Sequence, residues 1–456
     1  MQIEQLITAQ KAYFDTHETF DIDFRIHKLK ALKKAIQNHE KDILSALKAD
    51  LGKSETEAYM CEIGLTLSEL SHQIKHIRKW NRNVWHPTSL ANFHAKSFSV
   101  YEPLGSVLIM SPWNYPFMLC MEPLAGALAA GNCCVLKPSA YSPATSAVIK
   151  QIIEEVFPPE YVTVVEGGRQ ENQALLEQRF DYIFFTGGVT VGKQVMEKAA
   201  KHLTPVTLEL GGKSPCIITD SCNLQVAAAR VVFGKYLNCG QTCVAPDYCL
   251  VAKKIKDAFL EQVKLQLTKM YGAKPLENPD YGKIINQKHF ERILGLINRD
   301  KLIVGGESNA ETLQIAPTIL DNVTADDTVM QEEIFGPILP ILTYESIDEA
   351  VSFIQEREKP LALYVFTQDK NIEQRFLNYV SFGGGCVNDT IVHLSSPEMA
   401  FGGVGNSGMG SYHGKRSFEI FSHEKNILKK YNWIDLPMRY QPYKALYLKL
   451  IKMFLH

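Results

Sequence analysis

Residues 106–137, SVLIMSPWNYPFMLCMEPLAGALAAGNCCVLK, decide the fold. SVLIM, at 106–110, is an apolar run too short for a helix and rich in strand formers. Residues 117–130 are long and apolar enough for a helix that Gly131 closes. The stretch 132–137 is a strand again. The same alternation continues with a helix over 143–156, a strand over 161–166, a short helix over 171–178, a strand over 181–185, a helix over 191–203 and a strand over 206–210. Short apolar strands alternating with helices predict a parallel, doubly wound α/β sheet. Such a sheet binds ligands outside the carboxyl ends of its strands. The residues that follow strands are Trp113, Asn114, Lys137, Gly187 and Glu209.

Upstream, 22–51 reads as a helix with Leu29, Leu32, Ile36, Ile43 and Leu47 at helical spacing, ended by Gly52. A second helix is expected over 55–80. These helices read as packing and nothing chemical. Residues 92–102 have strand patterning between Pro87 and Pro103, with an exposed edge suited to pairing with another chain. Downstream of Gly212 a second α/β region is expected, with strands at 248–251, 302–304, 361–366 and 386–388 and a helix over 254–269. The C-terminal stretch 443–456, YKALYLKLIKMFLH, is apolar with Lys444, Lys449 and Lys452 toward one side of a helix. It is too short to span a bilayer and suits a membrane surface or docking on protein.

At 456 residues the chain exceeds one simple core. It is 46% hydrophobic and 21% charged, as soluble globular proteins are, and its net charge of −2 offers no field for nucleic acid. The N-terminal MQIEQLITAQKAYFD has no signal-peptide core. The ten cysteines are scattered, a reduced, cytoplasmic pattern. With no C-x-x-C and no H-E-x-x-H, no metal site is expected.

Several residues could carry chemistry. In Asn238-Cys239-Gly240-Gln241-Thr242-Cys243, just past a helix expected over 223–237, Gly240 turns the chain so that Cys243 sits at a cleft's rim, where a thiol can act as a nucleophile. Glu209 puts a carboxylate near the end of an apolar strand, where desolvation makes it a stronger base. Asn114, in a rigid Pro-Trp-Asn-Tyr-Pro turn, can donate to a developing oxyanion. Gly187, Gly188, Val191 and Gly192, between a strand and a helix, can approach a phosphate, although their spacing is not G-x-G-x-x-G. Lys137 can reach a ribose or a phosphate. Taken singly, each has an ordinary explanation as a core cysteine, a tight turn or a solvated lysine.

Taken together, these stretches resemble the aldehyde dehydrogenase superfamily. Glu209-Leu210-Gly211-Gly212-Lys213-Ser214-Pro215 looks like its general-base motif and Gly240-Gln241-Thr242-Cys243 its nucleophile motif. Pro112-Trp113-Asn114, Lys137-Pro138-Ser139 and Glu333-Ile334-Phe335-Gly336-Pro337 match in order and spacing. The match covers about 100–430. The stretch 405–415, GNSGMGSYHGK, is similar to the class 3 and fatty-aldehyde branch, which implies a homodimer.

The resemblance implies a Rossmann-like NAD(P)-binding domain over 1–209, interrupted by a dimerisation hairpin arm at 86–102. A catalytic α/β domain follows over 210–400. Residues 401–456 then return to the cofactor domain, with a dimerisation strand near 425–431 and the amphipathic tail. The implied reaction is NAD(P)-dependent oxidation of an apolar medium- or long-chain, aromatic or polyene aldehyde to the acid. It would proceed through a thiohemiacetal and a thioester on Cys243, with Asn114 at the oxyanion and Glu209 activating water. NAD or NADP would be held by Trp113, Lys137, Gly187, Gly188, Val191, Gly192, Leu210, Gly211, Glu333 and Phe335. Ala140 stands where many NAD-preferring relatives have a glutamate, which implies use of NADP as well. Gly188 replaces a small polar residue, implying one phosphate contact fewer. Cys239 reads as a packed small residue or as a disulfide partner for Cys243.

Overall fold

The computed structural model describes residues 3–455; Met1, Gln2 and His456, which the readings of the two termini include, lie outside the described residues. The run that opens the sequence reading forms the strands Ser106–Met110 and Cys133–Lys137 around a helix, Met118–Ala130, in which every residue is buried. Apolar side chains all round such a helix permit no other location.

The first sheet has six strands in the order Gly408–Met409, Val206–Leu210, Tyr182–Gly187, Ser106–Met110, Cys133–Lys137, Val162–Val164. All neighbours are parallel except Gly408–Met409, which returns antiparallel beside Val206–Leu210. Ser106–Met110 is first in the chain and lies between the second and fourth of the parallel strands. The order therefore reverses between Ser106–Met110 and Tyr182–Gly187, and a crevice opens there at the carboxyl ends. The second sheet has seven strands, from Leu302–Val304 at one edge to Gly384–Val387 at the other, with Tyr248–Ala252 and Pro215–Ile218 inside. Its pairs are parallel except the one made by Leu302–Val304.

A third sheet pairs Val84–His86, Ala95–Pro103 and Ser422–Lys430 antiparallel. Ala95–Pro103 is its middle strand, so the free edges belong to its two neighbours and not to the 92–102 segment itself. The expected strand near 425–431 is Ser422–Lys430, in register with Pro103–Ala95 of the same chain.

Two long helices differ from the sequence reading. The expected helix over 22–51 breaks into Ile22–Asn38 and Glu40–Leu51 at His39, whose ring bonds Asp42 Oδ2 at 2.9 Å and Glu155 Oε2 at 2.8 Å. The expected helix over 55–80 contains a π-helical turn, Tyr59–Ile63, between Glu55–Ala58 and Gly64–Trp80. The C-terminal tail forms the helix Ala445–Phe454, with Leu446 and Met453 about two-thirds exposed. Among the described residues no helix is long and apolar enough to cross a membrane.

Candidate active site

The loop that leaves Met110 at the strand-order reversal carries Trp113 and Asn114. Gly187 ends the adjacent strand, and Glu209 and Leu210 end the next one. Strand alternation turns the Glu209 side chain into the sheet's interior, where it is 3% exposed.

The cysteine loop reaches the same crevice from the second sheet. After the helix Leu224–Tyr236, Asn238, Cys239 and Gly240 take left-handed backbone angles in succession, with φ of 52°, 52° and 72°. A Cβ on Gly240 would stand 2.3 Å from the Gly336 carbonyl oxygen, so glycine is required there. Hydrogen bonds hold the turn: Asn238 Nδ2 donates to the Gln241 carbonyl at 3.2 Å and to the Asn114 carbonyl at 2.8 Å. Asn114 Nδ2 in turn donates to the Gln241 carbonyl at 3.0 Å. The asparagine amide and the cysteine loop, widely separated in sequence, are thereby tied together two residues before Cys243.

Cys243 forms part of the wall of two cavities. One, of about 340 Å³, is a polar cleft that also touches Asn114, Gly187, Glu209, Glu333 and Phe335. The other, of about 180 Å³, is apolar, lined by Tyr115, Met118, Leu237, Ile391 and Phe401 among others. Tyr115 and Thr242, both in the wall of the apolar cavity, share a hydrogen bond of 2.7 Å between Tyr115 Oη and Thr242 Oγ1.

Glu333 rests on the backbone at Gly211, where any Cβ would lie 2.1 Å from its Oε2. Its loop is pinned by Arg292, which donates to the Ile334 carbonyl at 2.7 Å, and by Asp247, which accepts from the Ile334 N–H at 3.0 Å. Phe335, at φ 47°, meets Trp113 edge-on with ring centroids 5.3 Å apart.

Burial dominates the electrostatics. Both carboxylate oxygens of Glu209 are buried without a hydrogen-bond partner, and desolvation pushes its pKa well above the usual carboxylate range. Burial first, then the nearby Glu333 and Glu209 carboxyls, push the Cys243 thiol up to about 12. The N–H groups of Cys243 and Val244 act in the opposite direction. Glu333 is raised to about 8, by burial and then by Asp247. Its Oε1 has no partner, and neither has Thr186 Oγ1. These orphaned acceptors beside bare glycine backbone fit a ligand that brings hydroxyls, such as a nucleotide ribose.

Of the residues singled out from sequence, Trp113, Asn114, Gly187, Gly188, Glu209, Leu210, Gly211, Cys243, Glu333 and Phe335 share the polar cleft. Lys137, Val191 and Gly192 do not line it. Lys137 is buried, its ammonium donating to the Pro138 and Gly167 carbonyls at 2.8 and 2.7 Å. Gly192 packs under Leu210, and Val191 is 39% exposed. Cys239 is a free thiol, buried in the second sheet's core near Gly282.

The N-terminal helices are more than packing. Lys53 and Glu62, both buried, reach the Asn114 loop. No motif marks either residue, and Glu62 shares its face with the equally buried polar Thr66, Glu69 and Gln73.

A model of the aldehyde dehydrogenase family matches residues 1–427. The chain is 49% identical over 454 residues to a 4,4'-diaponeurosporen-aldehyde dehydrogenase of Staphylococcus aureus, covering 99% of each chain. It is 44% identical to a dog aldehyde dehydrogenase described as dimeric and NADP-preferring, covering 97% of this chain and 98% of that one. The structure of substrate-bound Staphylococcus aureus AldH superposes with a TM-score of 0.98 at 49% identity, over 100% of this chain and 99% of that one.

Proposed function

The chain belongs to the aldehyde dehydrogenase family, which oxidises aldehydes to carboxylic acids with NAD or NADP, and from that premise we propose how its own residues do so. Cys243 gives up its thiol proton to water in the polar cleft and attacks the aldehyde carbonyl from the wall between the two cavities. The Cys243 N–H and the second N–H of Asn114, the one not given to Gln241, hold the oxyanion of the thiohemiacetal. A bound NAD or NADP would supply the hydride acceptor for this adduct, and Cys243 would then carry the acyl group as a thioester. Glu209 takes a proton from water. The water oxygen attacks the thioester carbon, the carbon–sulfur bond breaks, and the acid departs while the sulfur regains a proton. Glu333 and Phe335 would hold the nicotinamide ribose side of the cofactor. Gly187, Gly188 and the start of the following helix would face the pyrophosphate, and Lys137 would take the adenosine ribose after giving up a carbonyl partner. The observation that carries this reading is that one sulfur borders both the cleft with Asn114, Glu209 and Glu333 and the apolar pocket.

The apolar pocket favours an aldehyde with a medium or long hydrocarbon chain, an aromatic ring or a polyene. Burying each further methylene is worth about 0.8 kcal/mol. The relative named for 4,4'-diaponeurosporen-aldehyde supports the same class. Ala140 is exposed and offers no carboxylate to repel a 2′-phosphate, so both NAD and NADP serve. The test is a series of straight-chain aldehydes, from two to twelve carbons, assayed with each cofactor. Rising kcat/KM with length, and comparable efficiency with both cofactors, is the expected result. A steady fall with length overturns the substrate assignment, and activity with NAD alone overturns the cofactor assignment.

We assign residues 1–209 to cofactor binding, 210–400 to catalysis, and the sheet of Val84–His86, Ala95–Pro103 and Ser422–Lys430 to a homodimer contact. The open edge of Ser422–Lys430, with Ile427 and Leu428 exposed, supports that assignment. The exposed Leu446, Leu448 and Met453 beside Lys449 and Lys452 suit peripheral contact of a cytoplasmic enzyme with a membrane surface. Sedimentation with anionic vesicles, with and without residues 443–456, tests that contact.

A further inference from the structure

The loop that bears Asn114 and the loop that bears Cys243 are both anchored on a cluster of charged side chains, Lys53, Glu57 and Glu62, where the N-terminal helices meet them. Lys53 is 1% exposed and Glu62 0%, and the two form an ion pair. The Lys53 ammonium donates to the Asn114 carbonyl at 3.0 Å and lies 4.0 Å above the Tyr115 ring. The other oxygen of Glu62 accepts from the N–H groups of Phe117 and Met118, at 2.8 and 3.3 Å, where the buried helix Met118–Ala130 begins. Glu57, one turn earlier, accepts from the Asn238 N–H at 2.9 Å. Asn238 is the residue whose side chain bridges the Asn114 and Gln241 carbonyls.

The inserted residue of the π-helical turn, Tyr59–Ile63, sets how this face is presented. It turns Glu62 inward while Met60 and Cys61 line the apolar pocket. Such turns are uncommon and recur at functional sites. A buried ion pair is a poor device for stability alone, since well-packed apolar residues serve as well or better. This one touches the backbone of the loop that carries the amide.

We infer that Lys53, Glu62 and Glu57 are positioning residues for oxidation at Cys243, fixing the Asn114 amide relative to the sulfur; the inference rests on the roles proposed above for those two groups. A misplacement of about 1 Å at a reacting centre costs on the order of a hundredfold in rate.

The test uses the full-length enzyme with hexanal and NAD, with turnover expressed per reactive Cys243 thiol. Lys53→Met leaves Glu62 without its partner, so it lowers both the thermal midpoint and kcat. The double variant Lys53→Met/Glu62→Gln removes both charges and keeps an acceptor for the Phe117 and Met118 N–H groups. Its thermal midpoint is expected to recover while kcat stays about ten- to a hundredfold below wild type, with the KM for NAD unchanged. A kcat that returns with the thermal midpoint reduces the cluster to a structural role and overturns the inference. If Lys53→Met proves insoluble, Glu62→Gln, which keeps shape and one acceptor, carries the same comparison. Cys243→Ser is run beside them. Turnover surviving in Cys243→Ser refutes the proposed chemistry itself, whereas a dead Cys243→Ser with fully active Lys53 and Glu62 variants refutes only the positioning role.

Discussion

The carboxyl of Glu333 lies against the backbone of Gly211 so closely that a Cβ there would stand 2.1 Å from Oε2. Glycine at 211 is thus a condition for Glu333 to occupy its place in the cleft. Gly211→Ala displaces the carboxyl and is expected to weaken NAD binding about tenfold, equivalent to about 1.4 kcal/mol. Fluorescence titration of the variant with NAD measures this, and an unaltered circular dichroism spectrum shows that the fold is retained.

Glu209 sits in a dry environment that holds its proton. Because its pKa is raised, the fraction available as a base grows with pH, and on the proposed chemistry so does hydrolysis of the thioester. Glu209→Gln is expected to keep a rapid first release of about one NADH per site while steady turnover falls by about 10²–10⁴. Stopped-flow absorbance resolves the two phases. In the wild type, turnover should climb with pH as the raised carboxyl ionises, and in Glu209→Gln that climb should vanish.

At Gly188, which precedes the helix Val189–Ala200, an added Cβ meets nothing within 4 Å. Its backbone, at φ −78° and ψ 150°, is the extended form that a capping serine adopts. Gly188→Ser is expected to fold normally and raise the thermal midpoint slightly. It should also tighten NADP and NAD binding if the hydroxyl reaches the pyrophosphate, a charged hydrogen bond being worth about 1.5–3 kcal/mol. Calorimetric titration provides the comparison.

Lys235 is fully buried, its ammonium has no hydrogen-bond partner, and burial lowers its pKa from 10.5 to about 8. The native chain therefore releases this proton before the unfolded chain does. Below pH 8 the cost of the buried charge is felt in full, and between pH 8 and 10.5 stability from this group rises as the charge is shed. Lys235→Met is expected to raise stability at pH 7 by up to about 3 kcal/mol, a gain that shrinks as pH climbs through that window. Denaturant midpoints at pH 7, 8, 9 and 10 follow it.

The alternating core was readable because its residues face apolar surroundings on every side. The strands at 106–110 and 206–210 and the helix at 143–156 fall where the apolar runs place them. What escaped was made by single side chains acting over distance. The helix breaks at His39, whose ring bonds Asp42 and Glu155, and no periodicity reports that. The π-helical turn Tyr59–Ile63 adds one residue to a turn inside the segment 55–80, which the sequence reads as one helix. The amide, the carboxylate and the thiol were marked by motifs, and the polar cleft gathers all three. Lys53 and Glu62 carried no motif, because what they hold is backbone and any sequence supplies a backbone carbonyl.

Cys243 stands in a partition, with the polar cleft on one face and a greasy recess on the other. On the proposed chemistry, the two reactants approach the sulfur from separate directions and neither obstructs the other's path. An acid product can slip away while reduced dinucleotide stays seated. An unreactive long-chain analogue lodged in the recess would slow the enzyme without competing for the dinucleotide's berth.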